Sequence, residues 1–216
     1  SDALGAAAVV TTATDVNHLF AVDVFATKNR LRISDMALCK AVSAALLRGE
    51  PVGFTSDVPI AGELPNGLTY DKTPLGVAVA NVSDDPPFPR TLFLTPQRYC
   101  VGIGCRKGKD ADELWNFVHE QLCAANVSAD ALFCIASIDL KRDEAGILAL
   151  AKRLNVPFQT YSGEELNRVK GDFTPSGFVL SQTGVDNVCE RAAVLGSGGG
   201  KIIIKKNAHG GGTMAA

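Results

Sequence analysis

The carboxy-terminal part of the chain alternates short apolar runs with segments of helical periodicity. "TLFLTPQRYCVGIGC" reads as one or two strands, and "ALFCIAS" and "VPFQTY" read as one strand each. Two segments between them repeat apolar residues at helical spacing: Leu114, Phe117, Val118 and Leu122, then Ile147, Leu148, Ala151 and Leu154. Strands that alternate with helices at this spacing predict βαβ units and a mainly parallel sheet.

Helix starts and the end of the chain extend this pattern. Asp110 with Glu113, and Ser162 with Glu165, have the spacing of a capping box at a helix amino terminus. "GVDNVCERAAVLG" predicts a further helix, and "KIIIKKN" predicts the last strand of the sheet. The tail "GGGTMAA" is expected to pair back as an antiparallel edge.

The amino-terminal part has the same kinds of element in a less regular order. "DMALCKAVSAALLRG" predicts a helix that ends at Gly49, and "PVGFTSD" and "LGVAVANVS" predict strands. The run "AAAVVTTATD" predicts a strand with no earlier strand to pair with. "DDPPFPR" has three prolines in four positions, which forbid regular structure there and predict a linker.

Composition excludes several functional classes. Hydrophobic residues make up 46% of the chain, charged residues 20%, and the formal net charge is −2, so nothing global indicates a nucleic-acid binder. The six cysteines form no CxxC pair and fit buried thiols in a reducing cytosol. The three histidines are far apart, so we expect no metal held by the protein. With no long apolar run and no basic leader, we expect a cytoplasmic protein without membrane contact.

The stretch "YCVGIGCRKGKD" is the first candidate site. Strand alternation puts Val101, Ile103 and Cys105 on one face and Gly102 and Gly104 on the other, where a helix or ligand approaches closely. Three cations follow at the start of a helix, where anions are favoured: Arg106, Lys107 and Lys109. An anion cradle and a solvated basic turn both remain open.

More specific interpretations of this stretch fail on spacing. Gly102, Gly104 and Gly108 are spaced G-x-G-x-x-x-G rather than G-x-G-x-x-G, and no G-K-[ST] follows. Cys105 has no neighbouring base, since His119 lies more than two helical turns into the next helix. We therefore expect Cys105 to pack inward rather than act as a nucleophile.

A second candidate, "SIDLKRDEAG", follows the next strand. It brings several polar residues to the same sheet edge: Ser137, Asp139, Lys141, Arg142, Asp143 and Glu144. Helix capping explains the acids equally well. "TTATDVNH", with Asp15 and His18, is a third candidate whose alternative is a capping turn. Lysines in "KIIIKKNAHGGG" are typical of edge strands, where they prevent aggregation, as well as of ligand-binding sites.

The ordered set of motifs resembles a known family. "TTATD", "VGIGCRKG", "SIDLKRDE", "YSGEEL", "VCERAA" and "GGGKIIIKK" together resemble the cobalt-precorrin-5A hydrolase family of cobalamin (vitamin B12) biosynthesis, the CbiG type. Residues 98–216 resemble its carboxy-terminal domain, which also occurs alone as the CobE type.

The resemblance implies a fold and domain organisation. We expect residues 91–216 to form a carboxy-terminal three-layer α/β/α domain with a mainly parallel sheet. A smaller α/β middle domain precedes it at 16–90. Residues 1–15 are then the remnant strand of an amino-terminal domain that full-length members carry and this chain lacks.

The resemblance also implies a tetrapyrrole substrate, within porphyrin metabolism, and a reaction. The substrate is the corrin precursor cobalt-precorrin-5A, whose δ-lactone is hydrolysed with release of acetaldehyde to give cobalt-precorrin-5B. Cobalt is carried by this tetrapyrrole, with no cofactor held by the protein. Asp139 or Glu144 is the expected base. The expected substrate-binding residues are Gly104, Cys105, Arg106, Lys107, Gly108, Lys109, Ser137, Lys141 and Arg142. The alternative is a non-catalytic module that binds or carries a corrin intermediate; a homodimer is left open.

Overall fold

The computed structural model describes residues 19–60 and 63–216. The chain divides into two compact units after Pro96. The expected remnant strand at 1–15 and the "TTATDVNH" site lie outside the described residues.

In its described residues, 19–60 and 63–96, the first unit contains a five-stranded sheet with two helices. The helices are α1 (Val22–Asn29) and α2 (Met36–Leu47), and the strands are β1 (Leu31–Ile33), β2 (Val52–Ser56), β3 (Leu68–Thr69), β4 (Leu75–Val79) and β5 (Arg90–Pro96). The strand order is β1-β5-β4-β2-β3, with β1 antiparallel to β5 and the other neighbours parallel. Apolar residues of both helices and of the sheet form one buried cluster.

The division between the units differs from the expected boundary at 90/91. β5 follows the proline-rich segment but belongs to the first sheet, where it pairs with β1 and β4. The prolines interrupt the chain between β4 and β5, and the second unit begins at Gln97, with its first strand starting at Tyr99. "TLFLTPQRYCVGIGC" is thus two strands in two different sheets.

The second unit has a central sheet with helices on both faces. Its elements are β6 (Tyr99–Cys105), α3 (Ala111–Ala124), β7 (Leu132–Ile138), α4 (Ala145–Leu154), β8 (Phe158–Tyr161), α5 (Gly163–Arg168), α6 (Gly177–Thr183), α7 (Val188–Gly196), β9 (Asn207–His209) and β10 (Gly212–Ala215). The strand order is β8-β7-β6-β10-β9. β6, β7 and β8 are parallel, and β10 is antiparallel to both β6 and β9. Separate apolar clusters cover the two faces, one under α3 and α4 and one under α5 and α7. The expected three-layer α/β fold is confirmed.

Local sequence signals explain several element boundaries. Ser162 and Glu165 form the reciprocal capping box at the start of α5, and the Asp110 carboxylate accepts hydrogen bonds from the first turn of α3. Gly210 and Gly211 both have positive φ, which the two-residue turn between β9 and β10 requires.

Three sequence expectations are wrong in whole or in part. Leu148 is 45% exposed, and Leu150 is buried in its place, because the helical period from Ala145 puts residue 150 on the inner face beside Ile147. "KIIIKK" is not a strand. The tail strand β10 occupies the position beside β6, and the amides of Ile203 and Ile204 donate instead to the carbonyl of Ala216. β10 therefore lies inside the sheet rather than at its edge.

Candidate functional site

A cleft opens at the carboxyl ends of β6 and β7, the sheet edge where open α/β sheets bind ligands. Its volume is about 730 Å³, within the range of small-molecule sites. The first turn of α7 and the short helix α6 form the opposite wall. We call this space the β6–β7 cleft.

The glycines of β6 bring α7 to this cleft. A Cβ on Gly102 would collide with the carbonyl oxygen of Cys189, so only glycine lets the helix pack directly on the strand. A Cβ on Gly104 would lie 2.7 Å from the Thr213 hydroxyl of β10, and both residues line the cleft. The expectation that one face of β6 admits a close neighbour holds, and the neighbour at Gly102 is a helix.

Cationic side chains line the cleft on two sides. Arg106 and Lys107 follow β6, Lys141 follows β7, and Lys206 precedes β9. The side chain of Arg106 lies along Gly211 in the β9–β10 turn. Three of these four were expected at the site. Lys206 was not, because its segment was interpreted as a protected edge strand.

Two large apolar side chains are exposed at the same cleft. Leu140 is 69% exposed and Phe178 is 76% exposed, and both line it. Exposed groups of this size beside cations suit a ligand with an apolar body and negative groups around it. Sequence reasoning missed both residues, although the Ser176 helix cap placed just before Phe178 was a signal for a helix there.

Glu144 holds the cationic loop in place. It is 9% exposed, and its carboxylate accepts a hydrogen bond of 2.7 Å from the amide of Gly108 and one of 3.0 Å from Lys141 Nζ. Burial would raise its pKa, but the hydrogen bonds from Lys141 and Gly108 outweigh burial and the pKa lies below its ordinary value. Glu144 is therefore an ionised tether between the two loops and does not line the cleft.

The Asp139 carboxylate is also hydrogen-bonded within the protein. Its carboxylate accepts a hydrogen bond of 2.8 Å from Arg142, whose Nε donates to the Thr160 hydroxyl at 3.4 Å. Hydrogen bonding with Thr160, followed by that with Arg142, lowers the pKa of Asp139. Asp139 and Arg142 lie at the same sheet edge, but neither lines the cleft.

Other predicted site residues are used within the protein. Ser137 is fully buried, and its hydroxyl donates to the carbonyl of Ile103 at 2.6 Å. Its predicted substrate contact is therefore replaced by a bond between strands. Lys109 forms an ion pair with Glu113 and is only 15% exposed.

The loop amides are engaged as well. The amide of Arg106 donates to Gly211, and that of Gly108 donates to Glu144. These two amides are therefore not the free donors that an oxyanion site at this loop requires.

Cys105 is half-buried: it packs against the apolar cluster under α3 and also lines the β6–β7 cleft, where it was expected. Burial raises the pKa of its thiol, which disfavours a nucleophilic thiolate. Within residues 19–60 and 63–216, no group of three or more His, Cys, Asp or Glu side chains is placed to hold a metal ion. No helix in the same ranges is long and apolar enough to cross a membrane.

Comparison with known proteins gives a consistent result over both units. Residues 99–216 match the family model described as "Cobalamin synthesis G C-terminus", and residues 20–96 match "Cobalamin biosynthesis central region". A protein of Salmonella typhimurium (strain LT2) named cobalt-precorrin-5A hydrolase is 34% identical over 209 residues, covering 91% of this chain and 60% of that protein. One of the same name from Priestia megaterium is 26% identical over 235 residues, covering 99% of this chain and 62% of that protein.

A solved structure resembles the second unit. The crystal structure of CobE, described as a protein from the cobalamin (vitamin B12) biosynthetic pathway, has a TM-score of 0.52 and 32% identity. The match covers 56% of this chain and 89% of that one. The chain thus spans nearly the whole CobE structure but only about three fifths of the two hydrolase relatives.

Proposed function

This chain belongs to the CbiG family of cobalamin biosynthesis proteins, and from that premise we propose that it binds cobalt-precorrin-5A in the β6–β7 cleft. Two relatives are named for this compound. The substrate is a flat macrocycle with acetate and propionate carboxylates around its edge, and it brings its own cobalt. It needs a site with an apolar surface and several cations.

The observation that carries the proposal is the arrangement of these two kinds of side chain in one cleft. Arg106, Lys107, Lys141 and Lys206 are placed to pair with peripheral carboxylates, with Arg106 able to form a bidentate pair. Leu140 and Phe178 are exposed beside them and suit the face of the macrocycle. Lys141 would exchange part of its contact with Glu144 for the substrate.

For the protein that contains this chain, we propose the reaction for which its relatives are named. Water opens the δ-lactone of cobalt-precorrin-5A, and a two-carbon fragment leaves as acetaldehyde to give cobalt-precorrin-5B. Lactone hydrolysis needs a base for the water and donors for the tetrahedral oxyanion. In this proposal Glu144 is a positioning residue, because its carboxylate already holds Lys141 and Gly108.

A second candidate function is a binding or carrier module without catalysis by this chain. This candidate is favoured because both expected bases already accept hydrogen bonds from groups of the protein. Glu144 is tethered to the cationic loop, and Asp139 is paired with Arg142. A base and oxyanion donors would then be supplied from outside this chain.

One experiment separates the two candidates. The chain is titrated with cobalt-precorrin-5A while the visible spectrum of the corrinoid, the acetaldehyde formed and the mass of the corrinoid product are recorded. Saturable spectral change with stoichiometric or catalytic acetaldehyde supports the hydrolase. Saturable binding without acetaldehyde supports the binding module. Absence of a saturable spectral change would overturn both.

Charge variants test the placement of the substrate. We expect Arg106→Ala and Lys206→Ala each to weaken corrinoid binding about tenfold, which corresponds to about 1.4 kcal/mol for a lost charged contact. Lys152→Ala is the matched control, because Lys152 is an exposed lysine of α4 that does not line the cleft. Equal affinities for the three variants and the unmodified chain would exclude the β6–β7 cleft as the site.

A further inference from the structure

A second cavity in the same unit has about the size of the β6–β7 cleft. It encloses about 720 Å³ and lies along the carboxy-terminal half of α7, beside Val194 and Leu195. The β6–β7 cleft instead contacts Val188 and Cys189 in the first turn of that helix. No residue lines both cavities. The second cavity is therefore a separate candidate site, and the proposed function makes no use of it.

The surface of this cavity is mainly apolar and partly aromatic. Tyr161 at the end of β8 and Phe173 contribute rings, and Val169, Leu195 and Ile202 contribute aliphatic groups. The Tyr161 hydroxyl donates to Gln159 Oε1 at 2.8 Å, which fixes the orientation of the ring. A cavity of this size and lining suits an organic molecule with a flat apolar body.

Arg191 holds one wall of the cavity in a preformed position. Its guanidinium forms an ion pair with Asp186 at 2.8 Å and donates to the carbonyl of Val169 at 2.7 Å. It also lies over the ring of Phe173, 4.6 Å from the centroid. The wall around 169–173 is thus fastened to α7 at two points, the Val169 carbonyl and the Phe173 ring, so a ligand would not have to order it.

The charged groups around the cavity leave two ammonium groups for a ligand. Lys205 donates to the Asp172 carbonyl and forms an ion pair of 3.6 Å with the Asp172 carboxylate. Arg168 pairs with Glu164, and the Glu165 carboxylate caps α5 through Ser162. Within residues 19–60 and 63–216, the ammonium groups of Lys170 and Lys201 have no ion pair or hydrogen bond. Both residues line the cavity and are exposed.

We propose that this second cavity binds an organic anion with an aromatic body. The ring lies on the surface formed by Tyr161, Leu195 and Ile202, and the negative group pairs with Lys170 and Lys201. The anion is a carboxylate or a phosphate ester, since both groups pair with ammonium.

The test measures the response of Tyr161 to an added ligand by fluorine NMR. The chain has three tyrosines, at 70, 99 and 161, so incorporation of 3-fluorotyrosine gives three fluorine NMR resonances, assigned by Tyr→Phe substitution. The probes are 1-naphthoate, 1-naphthyl phosphate and the neutral 1-naphthalenemethanol. We expect the two anions to shift the Tyr161 resonance saturably and to bind at least tenfold more tightly than the neutral probe. The Tyr70 resonance of the first unit should stay unchanged.

Charge reversal completes the test. The double variant Lys170→Glu, Lys201→Glu should lose at least tenfold in affinity for the anions and leave the affinity for the neutral probe unchanged. Lys152→Glu is the matched control, and Arg106→Ala should leave probe binding unchanged, which separates this site from the β6–β7 cleft. Tighter binding of naphthoate or of naphthyl phosphate identifies the preferred anion. Equal affinity of charged and neutral probes, or unchanged affinity after charge reversal, would overturn the proposal.

Discussion

The two units of this chain place strand glycines against different kinds of neighbour. In the first unit, Gly53 and Gly76 are opposite each other on β2 and β4, and the ring of Phe88 fills the space beside both. In the second unit, Gly102 lies against the backbone of α7 at Cys189. A ring can turn or be exchanged for a smaller one, whereas a helix backbone can move only as a whole. Glycine thus makes room for one side chain in the first sheet, whereas in the second it determines how closely a helix packs on the sheet.

That difference connects Gly102 to function. Because α7 rests directly on β6, its first turn reaches the carboxyl edge of the sheet and forms one wall of the β6–β7 cleft. The neighbour of Gly53 and Gly76 is instead a side chain from the non-helical segment before β5.

The largest effect is expected for Gly102→Ala. The added methyl group meets backbone atoms of Cys189 and Ala193, so we expect a loss of roughly 3 kcal/mol or more in the free energy of unfolding, the upper end for overpacking. Urea unfolding followed by Trp115 fluorescence in the second unit measures it. Gly177→Ala is the control, since a Cβ there meets nothing within 4 Å and should change stability little. Equal stability of both variants would refute a rigid α7–β6 contact.

A smaller effect, which a second substitution should relieve, is expected for Gly76→Ala. The three atoms nearest the added methyl group all belong to the Phe88 ring, so we expect a loss of about 2 kcal/mol. In a Phe88→Leu background the ring is absent and the same substitution should cost at least about 1 kcal/mol less. A double-mutant cycle in urea gives this coupling energy. Strict additivity would mean that the strand, rather than the ring, absorbs the added group.

The smallest effect is a change in pH dependence. The native pKa of Glu144 is below its ordinary value of 4.5, so its charge stabilises the fold above that pH. This contribution is lost as the pH falls through the lowered native pKa. Glu144→Gln should therefore reduce the free energy of unfolding by about 1 kcal/mol above pH 5, a loss typical of a charged hydrogen bond. The difference from the unmodified chain should shrink below about pH 4.

Asp143→Asn is the control for this pH test. It removes a neighbouring exposed carboxylate without touching the bonds to Gly108 or Lys141. A constant difference between Glu144→Gln and the unmodified chain from pH 7 to pH 3 would contradict an ionised tether.

Signals within single elements were read correctly from the sequence. The stripe Leu114, Phe117, Val118 and Leu122 is buried, and the Ser162–Glu165 box caps α5. Each signal depends on residues a few positions apart, where helical or strand geometry alone sets the direction of the side chain. Even so, the phase of α4 was misjudged at Leu148, because several leucines in one helix allow more than one apolar stripe.

The candidate site was predictable only in part. Arg106, Lys107 and Lys141 were found because each follows a strand at the expected sheet edge. Ser137 and Glu144 were expected to face the substrate, but bonds to Ile103 and Gly108 hold them within the protein. Phe178 and Lys206 reach the cleft from distant segments for which the sequence showed no partner.

By itself the sequence determined the α/β class, the apolar faces of most helices and the cationic end of β6, because these follow from spacing within one element. Tertiary structure decided which distant segments contact that end of β6. The bond between Gly108 and Glu144 joins residues 36 positions apart, and β10 inserts beside β6 from more than a hundred positions away. Such contacts depend on how the whole sheet forms. Local periodicity does not indicate which distant segment will pair with a given strand.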